Sequence, residues 1–434
     1  MMRPDPRGDI NMIRRRRSLF VVAALAAIVA GACSSSSKSS STATTAAATA
    51  TTAGATATTA AGSAATCTGP GISNGTIKVG VIQTASGSPQ VAADFKWAQQ
   101  ITQARFDIEN AKGGVDGYKL QTVAADDQNS ETGNLAAARQ LVESDNVFGI
   151  VEITVFPGGS GAYLKGKNVP VTGWGTASDP FGIDNNVFGD AGGLPSPPPP
   201  STLAMGFMHD VMGVTNVAIV GINDPGAIAV SDSDATAAKS LGMKVLEDNV
   251  PIAQTDFTAD VAKMKSAGVD GVIMYSAPQQ DLSIIPAAKQ AGLNAKFLLS
   301  TGYDSRFLAV ANILQGVYFE NAYAPFEFNL PASMQMQQAF PKGAPLGIAQ
   351  VNAWLSADLF VKGLSVAGGC PTRDSFINNL RQVHDYTGNG LIGTVDEATA
   401  LNTAEACFYH ETVQGKAFVP VEQPGKPYCG KPVS

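Results

Sequence analysis

Histidine and cysteine supply much of the catalytic and metal-binding chemistry of proteins, and this chain has few of either. Its 434 residues include three histidines, His209, His384 and His410, which stand far apart in the sequence. The His-x-His and His-x3-His spacings that hold zinc do not occur. The sequence therefore predicts no metal site, and each histidine is interpreted as a surface or packed side chain.

Sequence patterns of nucleotide and hydrolytic enzymes are also missing. We find no nucleophile elbow between a strand and a helix, no Gly-x-Gly-x-x-Gly after the first predicted strand, no phosphate loop and no His-Glu-x-x-His. Ser86-Gly87-Ser88 follows the first predicted strand, but without a plausible histidine partner it is interpreted as a ligand-contact loop. We predict a binding protein without a cofactor, and an α/β enzyme is the less favoured alternative.

Five cysteines are present, and four of them follow residue 66. An even number in an oxidising compartment indicates two disulfides with three possible pairings. We favour Cys407 with Cys429, because the chain between them resembles a hairpin, and closing that loop would stabilise the fold by roughly 3 kcal/mol. Cys67 with Cys370 then follows by elimination. The other pairings, and free buried thiols, remain open.

The fifth cysteine, Cys33, lies at the end of an export signal. Four arginines at 14–17 precede an apolar run at 18–32, which is too short for the roughly 20 residues that span a bilayer. Small residues lead into Cys33, and this order resembles a bacterial lipoprotein signal in which the cysteine is lipidated and becomes the new N-terminus. Ordinary cleavage nearby is the alternative. A loose twin-arginine match leaves the export route open.

Residues 34–66 are almost entirely Ser, Thr, Ala and Gly, with a single charge at Lys38. They lack the apolar side chains of a core and are predicted to be a flexible tether with a reach of roughly 30 Å. Removing residues 1–32 takes six arginines and two aspartates from 29 basic and 36 acidic residues, which leaves a net charge of about −11. This charge excludes nucleic acid as an expected partner, and membrane contact is expected only through the lipid.

Apolar periodicity predicts two series of alternating strands and helices. The first has strands at 77–82, 119–124, 147–151 and 168–172, with helices at 91–111 and 133–142. Four consecutive prolines at 197–200 interrupt the pattern. The second series has strands at 216–221, 243–250, 271–275 and 296–299, with helices at 230–241, 256–267 and 280–291. Helices at 348–366 and 374–383 and a hairpin of 407–412 with 417–421 follow. Such alternation is typical of doubly wound parallel sheets.

One segment carries a resemblance to a known family. Residues 109–120 read ENAKGGVDGYKL, and Asp126-Asp127 follows. Further matches lie at 256–258, 264–265, 269–272 and 291–293. In this order the segments are similar to the solute-binding proteins of branched-chain amino acid ABC importers, the Leu/Ile/Val-binding protein family, over about residues 75–421.

The resemblance implies a type I periplasmic binding protein fold, with two Rossmann-like α/β lobes joined by three crossover strands. We expect the crossings near 191–201, 322–326 and 396–403. The lobes then comprise 67–195 with 323–400 and 196–322 with 401–434, after the signal peptide at 1–32 and the tether at 33–66.

The resemblance also implies ligand positions at strand ends. The family holds the α-carboxylate of an amino acid with a hydroxyl and backbone amides, which match Thr154, Gly175, Thr176 and Ala177 here, and Ser86 belongs to the loop after the first strand. Amides at helix N-termini favour a carboxylate. Trp174 is interpreted either as part of this site or as a core residue.

The opposite lobe departs from the family pattern. Where the amino acid binders place a glutamate against the ammonium group, this chain has Thr301. Pro225 or Gly226, and Ala277, replace two expected aromatic contacts. A buried ammonium group without a charged partner costs several kcal/mol, so we do not expect a strict leucine or valine binder.

Two residues after Thr301 complete the predicted site. Tyr303 is a further predicted contact, and Asp304 either supplies the missing charge or begins a helix ahead of Arg306.

These observations predict an extracytoplasmic lipoprotein on the outer face of the cell membrane. We expect a monomer that captures a branched-chain amino acid, or a related amino acid, amide or carboxylate, by hinge-bending closure of its lobes. The expected partners are the permease subunits of an ABC importer. A ligand-sensing lipoprotein that signals to a membrane receptor is the alternative.

Overall fold

The computed structural model describes residues 67–175, 180–193, 197–223, 225–251, 254–276, 278–300, 303–401 and 407–433. The predicted signal peptide, Cys33 and the whole predicted tether lie outside this range. None of the helices in the described part combines the length and apolar character needed to cross a bilayer.

Six described strands form the first sheet. They are β1 (Ile72–Ser73), β2 (Thr76–Gln83), β3 (Lys119–Asp126), β4 (Ile150–Ile153), β5 (Val171–Gly173) and β6 (Val187–Gly189). Strands β3, β2, β4, β5 and β6 lie side by side and run parallel, and β1 pairs antiparallel with the start of β2. Val79, Val81 and Ile82 are fully buried, because a parallel sheet is covered on both faces.

Four helices connect these strands. They are α1 (Pro89–Phe95), α2 (Ala98–Ala111), α3 (Glu131–Arg139), which continues as a π-helical turn at Gln140–Ser144, and α4 (Gly158–Gly166). The single helix predicted at 91–111 is wrong, because the chain breaks at Lys96 and Trp97. Gln83 accepts a hydrogen bond from the amide of Gln99 at 2.9 Å. This bond satisfies one of the free amides at the start of α2, so the helix can begin there.

The second sheet contains eight described strands. They are β7 (Asn216–Ile222), β8 (Lys244–Val250), β9 (Gly271–Tyr275), β10 (Lys296–Leu299), β11 (Tyr318–Asn321), β12 (Cys407–Gln414), β13 (Ala417–Pro420) and β14 (Tyr428–Cys429). Their order is β8, β7, β9, β10, β11, β12, β13, with β14 on β12. Strands β7 to β11 are parallel, and β11, β12 and β13 are antiparallel.

The helices of the second series are α5 (Leu203–Asp210), α6 (Pro225–Ser240), α7 (Thr258–Ser266) and α8 (Pro278–Ala291). A 3-10 helix at Ser305–Val310 lies between β10 and β11. The predicted strands and helices of this series are all present, and α6 begins earlier than the apolar pattern indicated.

Three later helices return to the first sheet. They are α9 (Pro331–Ala339), α10 (Ile348–Ala367) and α11 (Arg373–Leu380). Helix α10 is buried along most of its length and packs against α2, α11, β4 and β5. Arg105 of α2, which lies on the apolar stripe of the sequence, is buried because it pairs with Asp358 at 2.7 Å and with Glu109 at 2.9 Å.

The chain passes between the two sheets three times, which confirms the two-lobed α/β fold. The passages lie between β6 and α5, between β11 and α9, and between α11 and β12. Two of them are paired where the amide of Ala324 donates to the carbonyl of Leu391 at 2.6 Å. The exact residues that divide the lobes remain a prediction.

The structure contains disulfides between the same two cysteine pairs that the sequence favours. Cys407 and Cys429 join β12 to β14, with 22 residues of sequence separation. Cys67 and Cys370 are 303 positions apart and tie the chain before β1 to the segment after α10. Each bond therefore fixes a chain segment that has little core of its own.

Candidate functional site

In each sheet, the parallel strands are added first on one side of a central strand and then on its other side. In the first sheet, β3 and β4 flank β2 on opposite sides, and in the second sheet β8 and β9 flank β7. Ser86 follows β2 and Thr154 follows β4, while Pro225 and Gly226 follow β7 at the start of α6. Ligands of open α/β sheets bind at such points, outside the carboxyl ends of the strands.

The carboxyl ends of the two sheets approach each other at one described contact. Arg306, in the 3-10 helix after β10, forms an ion pair with Asp94 of α1 at 2.6 Å. The side chain of Gln350, at the start of α10, donates to the backbone carbonyl of Asp94 at 2.5 Å. Elements that follow the strand ends of both sheets therefore lie on the same side of the molecule.

Ser86 is held by Asp126, the last residue of β3. Its hydroxyl donates to Asp126 at 2.6 Å, and the amides of Ala85 and Gln128 donate at 2.8 and 2.9 Å. Partial burial acts to raise the pKa of Asp126, but these hydrogen bonds outweigh it and hold the pKa below its usual range. The loop after β2 is thus fixed by an ionised carboxylate.

Thr154 is held in the same way by Asp127. Its hydroxyl donates to the Asp127 carboxylate and accepts a hydrogen bond from the amide of Phe156 at 3.0 Å. Both Thr154 and Asp127 are buried. Because a hydroxyl has one proton, Thr154 in this arrangement does not itself donate to a carboxylate ligand, whose hydrogen bonds would come from backbone amides of the same loops. The sequence comparison had used Asp126-Asp127 only as a family motif and missed this role.

Glu152 lies two residues before Thr154, on β4. It accepts hydrogen bonds from Asn134 at 2.8 Å and from Ser160 at 3.3 Å, and its Oε2 atom has no partner among the described residues. Burial raises the pKa of Glu152 to about 8, and the nearby Asp127 acts in the same direction. A buried carboxyl group that favours its protonated form at neutral pH therefore lies near Asp127.

Gly175 is required by packing. An added Cβ would lie 2.4 Å from the carbonyl oxygen of Gly192. The amide of Gly175 donates to the carboxylate of Asp190, which is buried and which Ser356 also contacts at 3.3 Å. Burial raises the pKa of Asp190 well above its usual value. Trp174 is half-buried, with its ring 5.8 Å from that of Phe95.

Tyr303 belongs to an aromatic cluster. Its hydroxyl donates to Glu327 and accepts from the amide of Phe326 at 2.7 Å, and its ring lies 4.9 Å from that of Phe418. Tyr303 lines a cavity of about 440 Å³ beside the second passage between the sheets. This cavity is formed by different loops from those that carry Ser86 and Thr154.

Asp304 takes the second of the two roles that the sequence left open. It caps the 3-10 helix by accepting from the amide of Arg306 at 2.7 Å, and it also pairs with the Arg306 guanidinium. Its charge is thus already balanced by Arg306 in this structure. Four predicted contacts, Thr176, Ala177, Ala277 and Thr301, lie outside the described residues.

Comparison with known proteins identifies the family. The sequence profile of periplasmic binding proteins matches residues 76–417. The chain belongs to the periplasmic binding protein family. This match confirms the family predicted from segment 109–120. Members of the family are substrate-binding proteins rather than enzymes, and they act outside the cytoplasm.

Similar proteins differ in the ligands for which they are named. An amino acid binding protein of Pseudomonas aeruginosa is 24% identical over 230 residues, which are 51% of this chain and 60% of that protein. A Leu/Ile/Val-binding protein homolog of Brucella melitensis is 27% identical over 67% of this chain and 79% of its own length. The solved fatty acid ABC transporter substrate-binding protein of Thermomonospora curvata has a TM-score of 0.68 at 22% identity, and the match covers 82% of this chain and 93% of that one. This structural likeness shows the fold alone.

Proposed function

We propose that this protein captures a small carboxylate between its two lobes and delivers it to an ABC importer. The proposal rests on the two positions where the order of the parallel strands reverses, one in each sheet. Ser86 and Thr154 lie beside the position in the first sheet, and the start of α6 lies beside the position in the second. Helix α6 has 16 residues, and the positive end of the dipole of such a helix favours an anion.

The ligand class follows from what the named relatives have in common and from one position of this chain. Amino acids and fatty acids share a carboxylate, and only amino acids carry an ammonium group. Thr301 stands where the amino acid binders have a glutamate, and Asp304 is paired with Arg306. A carboxylate therefore supplies the common contact, and an ammonium group is not required.

Three compounds of nearly the same shape test this assignment. Leucine has both charged groups, 4-methylpentanoate has only the carboxylate, and isoamylamine has only the ammonium group. We expect carboxylate-bearing compounds from a wider panel of amino acids, short fatty acids and aromatic acids to raise the melting temperature and reduce the radius of gyration. Their amides and amines should do neither. Stabilisation by the amines alone, or by no member of the panel, would contradict the proposal.

Thr154→Val locates the site by replacing the hydroxyl with a methyl group of the same shape. Loss of the hydroxyl removes its hydrogen bond to the Asp127 carboxylate, whose negative charge is then less well balanced near the bound acid. The affinity for the acid should fall by about tenfold or more in calorimetric titrations. Thr102→Val is the matched control, because Thr102 is equally buried but lies in α2, away from the strand ends. Equal affinities of the two variants would remove Thr154 from the site.

We also propose that Cys33 is lipidated and that residues 34–66 tether the lobes to the membrane surface. The support is the order of arginines, apolar run, small residues and cysteine. In the native host, Cys33→Ser should move the protein from the membrane fraction to the soluble fraction and abolish incorporation of labelled palmitate. Ser34→Ala should change neither. Membrane retention of Cys33→Ser would refute the anchor.

A further inference from the structure

A second cavity lies beside the first passage between the sheets, away from the strand-end loops of the proposed carboxylate site. Its volume is about 120 Å³. Pro198 and Pro199 of the proline run form one wall, and Val230 and Phe408 contribute further apolar surface. None of the residues assigned to the carboxylate ligand lines it. We call this space the acidic cavity, because Asp234 and Glu320 also line it.

Strand register brings the polar groups of the acidic cavity together. Met274 of β9 and Phe319 of β11 both pair with Leu299 of β10, so they stand at the same level of the sheet. Tyr275 follows Met274, and Glu320 follows Phe319. Both side chains therefore point to the same face of the second sheet, the face covered by α5 and α6. Asp234 on α6 reaches down to this face, and the hydroxyl of Tyr275 donates to it.

Glu320 is the unusual member of this group. The residue is only 6% exposed, and its Oε2 atom has no hydrogen-bond partner among the described residues. A buried carboxyl oxygen without a partner costs free energy, and a ligand that donates a hydrogen bond to it would recover that cost. Asp234 is 8% exposed and also faces the cavity.

No described cationic side chain balances these two carboxyls. His410 is the cross-strand neighbour of Glu320, but its ring stacks on Phe207 and its Nδ1 atom faces Glu422 at 2.9 Å. Burial, together with the repulsion of Asp234, raises the pKa of Glu320 to about 8, and burial raises that of Asp234 to about 7. Near neutral pH both carboxyls are therefore readily protonated, and a bound cation would favour their ionised forms.

We propose that the acidic cavity is a second ligand site, which binds a small organic ammonium ion through Glu320 and Asp234. The apolar walls fit a short alkyl chain, and the rings of Phe408 and Tyr275 provide the aromatic surface that ammonium ions favour. A metal ion fits less well, because no group of three or more acidic, histidine or cysteine ligands is found in the described part of the chain.

Calorimetric titration with butylamine tests this site, with 1-butanol as the uncharged compound of the same shape. At about pH 8.5 the amine is still charged and most of the carboxyls are ionised. We expect saturable one-to-one binding of butylamine and none of 1-butanol. Affinity should fall as the pH is lowered through 8 and 7, because protons then compete for Glu320 and Asp234, while Tyr275 stays neutral and His410 faces Glu422.

Glu320→Gln keeps the shape of the side chain and removes the charge, so it should fold and should weaken butylamine binding by about tenfold or more. Glu247→Gln is the matched control, since Glu247 lies on β8 of the same sheet and outside the cavity. Thr154→Val should leave butylamine binding unchanged, which separates this site from the carboxylate site.

Three results would overturn the proposal. They are the absence of saturable butylamine binding, equal affinity of Glu320→Gln and the wild type, and binding of calcium or magnesium through Glu320 without binding of butylamine.

Discussion

Several carboxyl groups in the described part of the chain are buried with no cation beside them, and one of these is Glu152, two residues before Thr154. It accepts hydrogen bonds from Asn134 and Ser160, and burial raises its pKa to about 8. The ordinary glutamate value of 4.5 applies when the chain unfolds. The folded protein therefore binds an additional proton here between these two pH values.

Glu152→Gln should change how stability depends on pH. A raised carboxyl pKa contributes stability that is fully present below about 4.5 and is lost as the pH rises through about 8. As the pH rises from 5 to 8, the wild type should lose this contribution and the variant should not. The free energy of unfolding of the variant should therefore rise relative to that of the wild type by about 2 to 4 kcal/mol over this range. Urea denaturation at several pH values measures this difference. Glu247→Gln on the surface is the control, and parallel pH profiles of wild type and Glu152→Gln would refute the expectation.

Residue positions at the site could be read from the sequence more easily than their hydrogen bonds. Ser86 and Thr154 follow strands, and loops after parallel strands carry ligand contacts, so their positions were predictable. The hydrogen bonds that the two hydroxyls donate to Asp126 and Asp127 were not predictable, because they depend on how β3 pairs with β2 and on side-chain rotamers. Arg306 illustrates the same difficulty, since only the fold brings it together with Asp94.

At the scale of elements, periodicity predicted the long helices and the buried strands and failed where an element was short or a partner distant. Helix α10 and strands β9 and β10 agree with the sequence within one residue. Strands β6 and β11 were not predicted, because three or four residues carry too little periodicity. The break between α1 and α2 depends on Gln83, which lies in another element and is invisible to a helical pattern.

For the whole molecule, the ion pair between Arg306 and Asp94 links the elements that follow the two sets of strand ends. The two side chains are 53% and 34% exposed, so the pair contributes about 1 kcal/mol or less. Such a value is small against the total stability, yet if the lobes open and close around the ligand as we propose, it is large enough to change the ratio of the two forms several-fold.

Asp94→Asn should shift that equilibrium towards the open form, because it weakens the ion pair and leaves the Asp304 contact of Arg306 intact. In low salt we expect a larger radius of gyration without ligand and an affinity for the carboxylate reduced by up to about fivefold. Both effects should fade at high salt. Lys239→Gln, which breaks the Lys239–Glu247 pair on the second sheet, is the control. Identical scattering of Asp94→Asn and wild type at low salt would contradict the expectation.

The late position of α10 in the chain affects how the protein is made. Helix α10 covers β4 and β5, yet it begins at Ile348, long after β6 ends at Gly189. During synthesis the first sheet cannot bury that apolar face until the whole second series has been translated. An early lobe would therefore expose an apolar surface prone to aggregation. The first lobe therefore completes its core only after the second series and α10 have been synthesised.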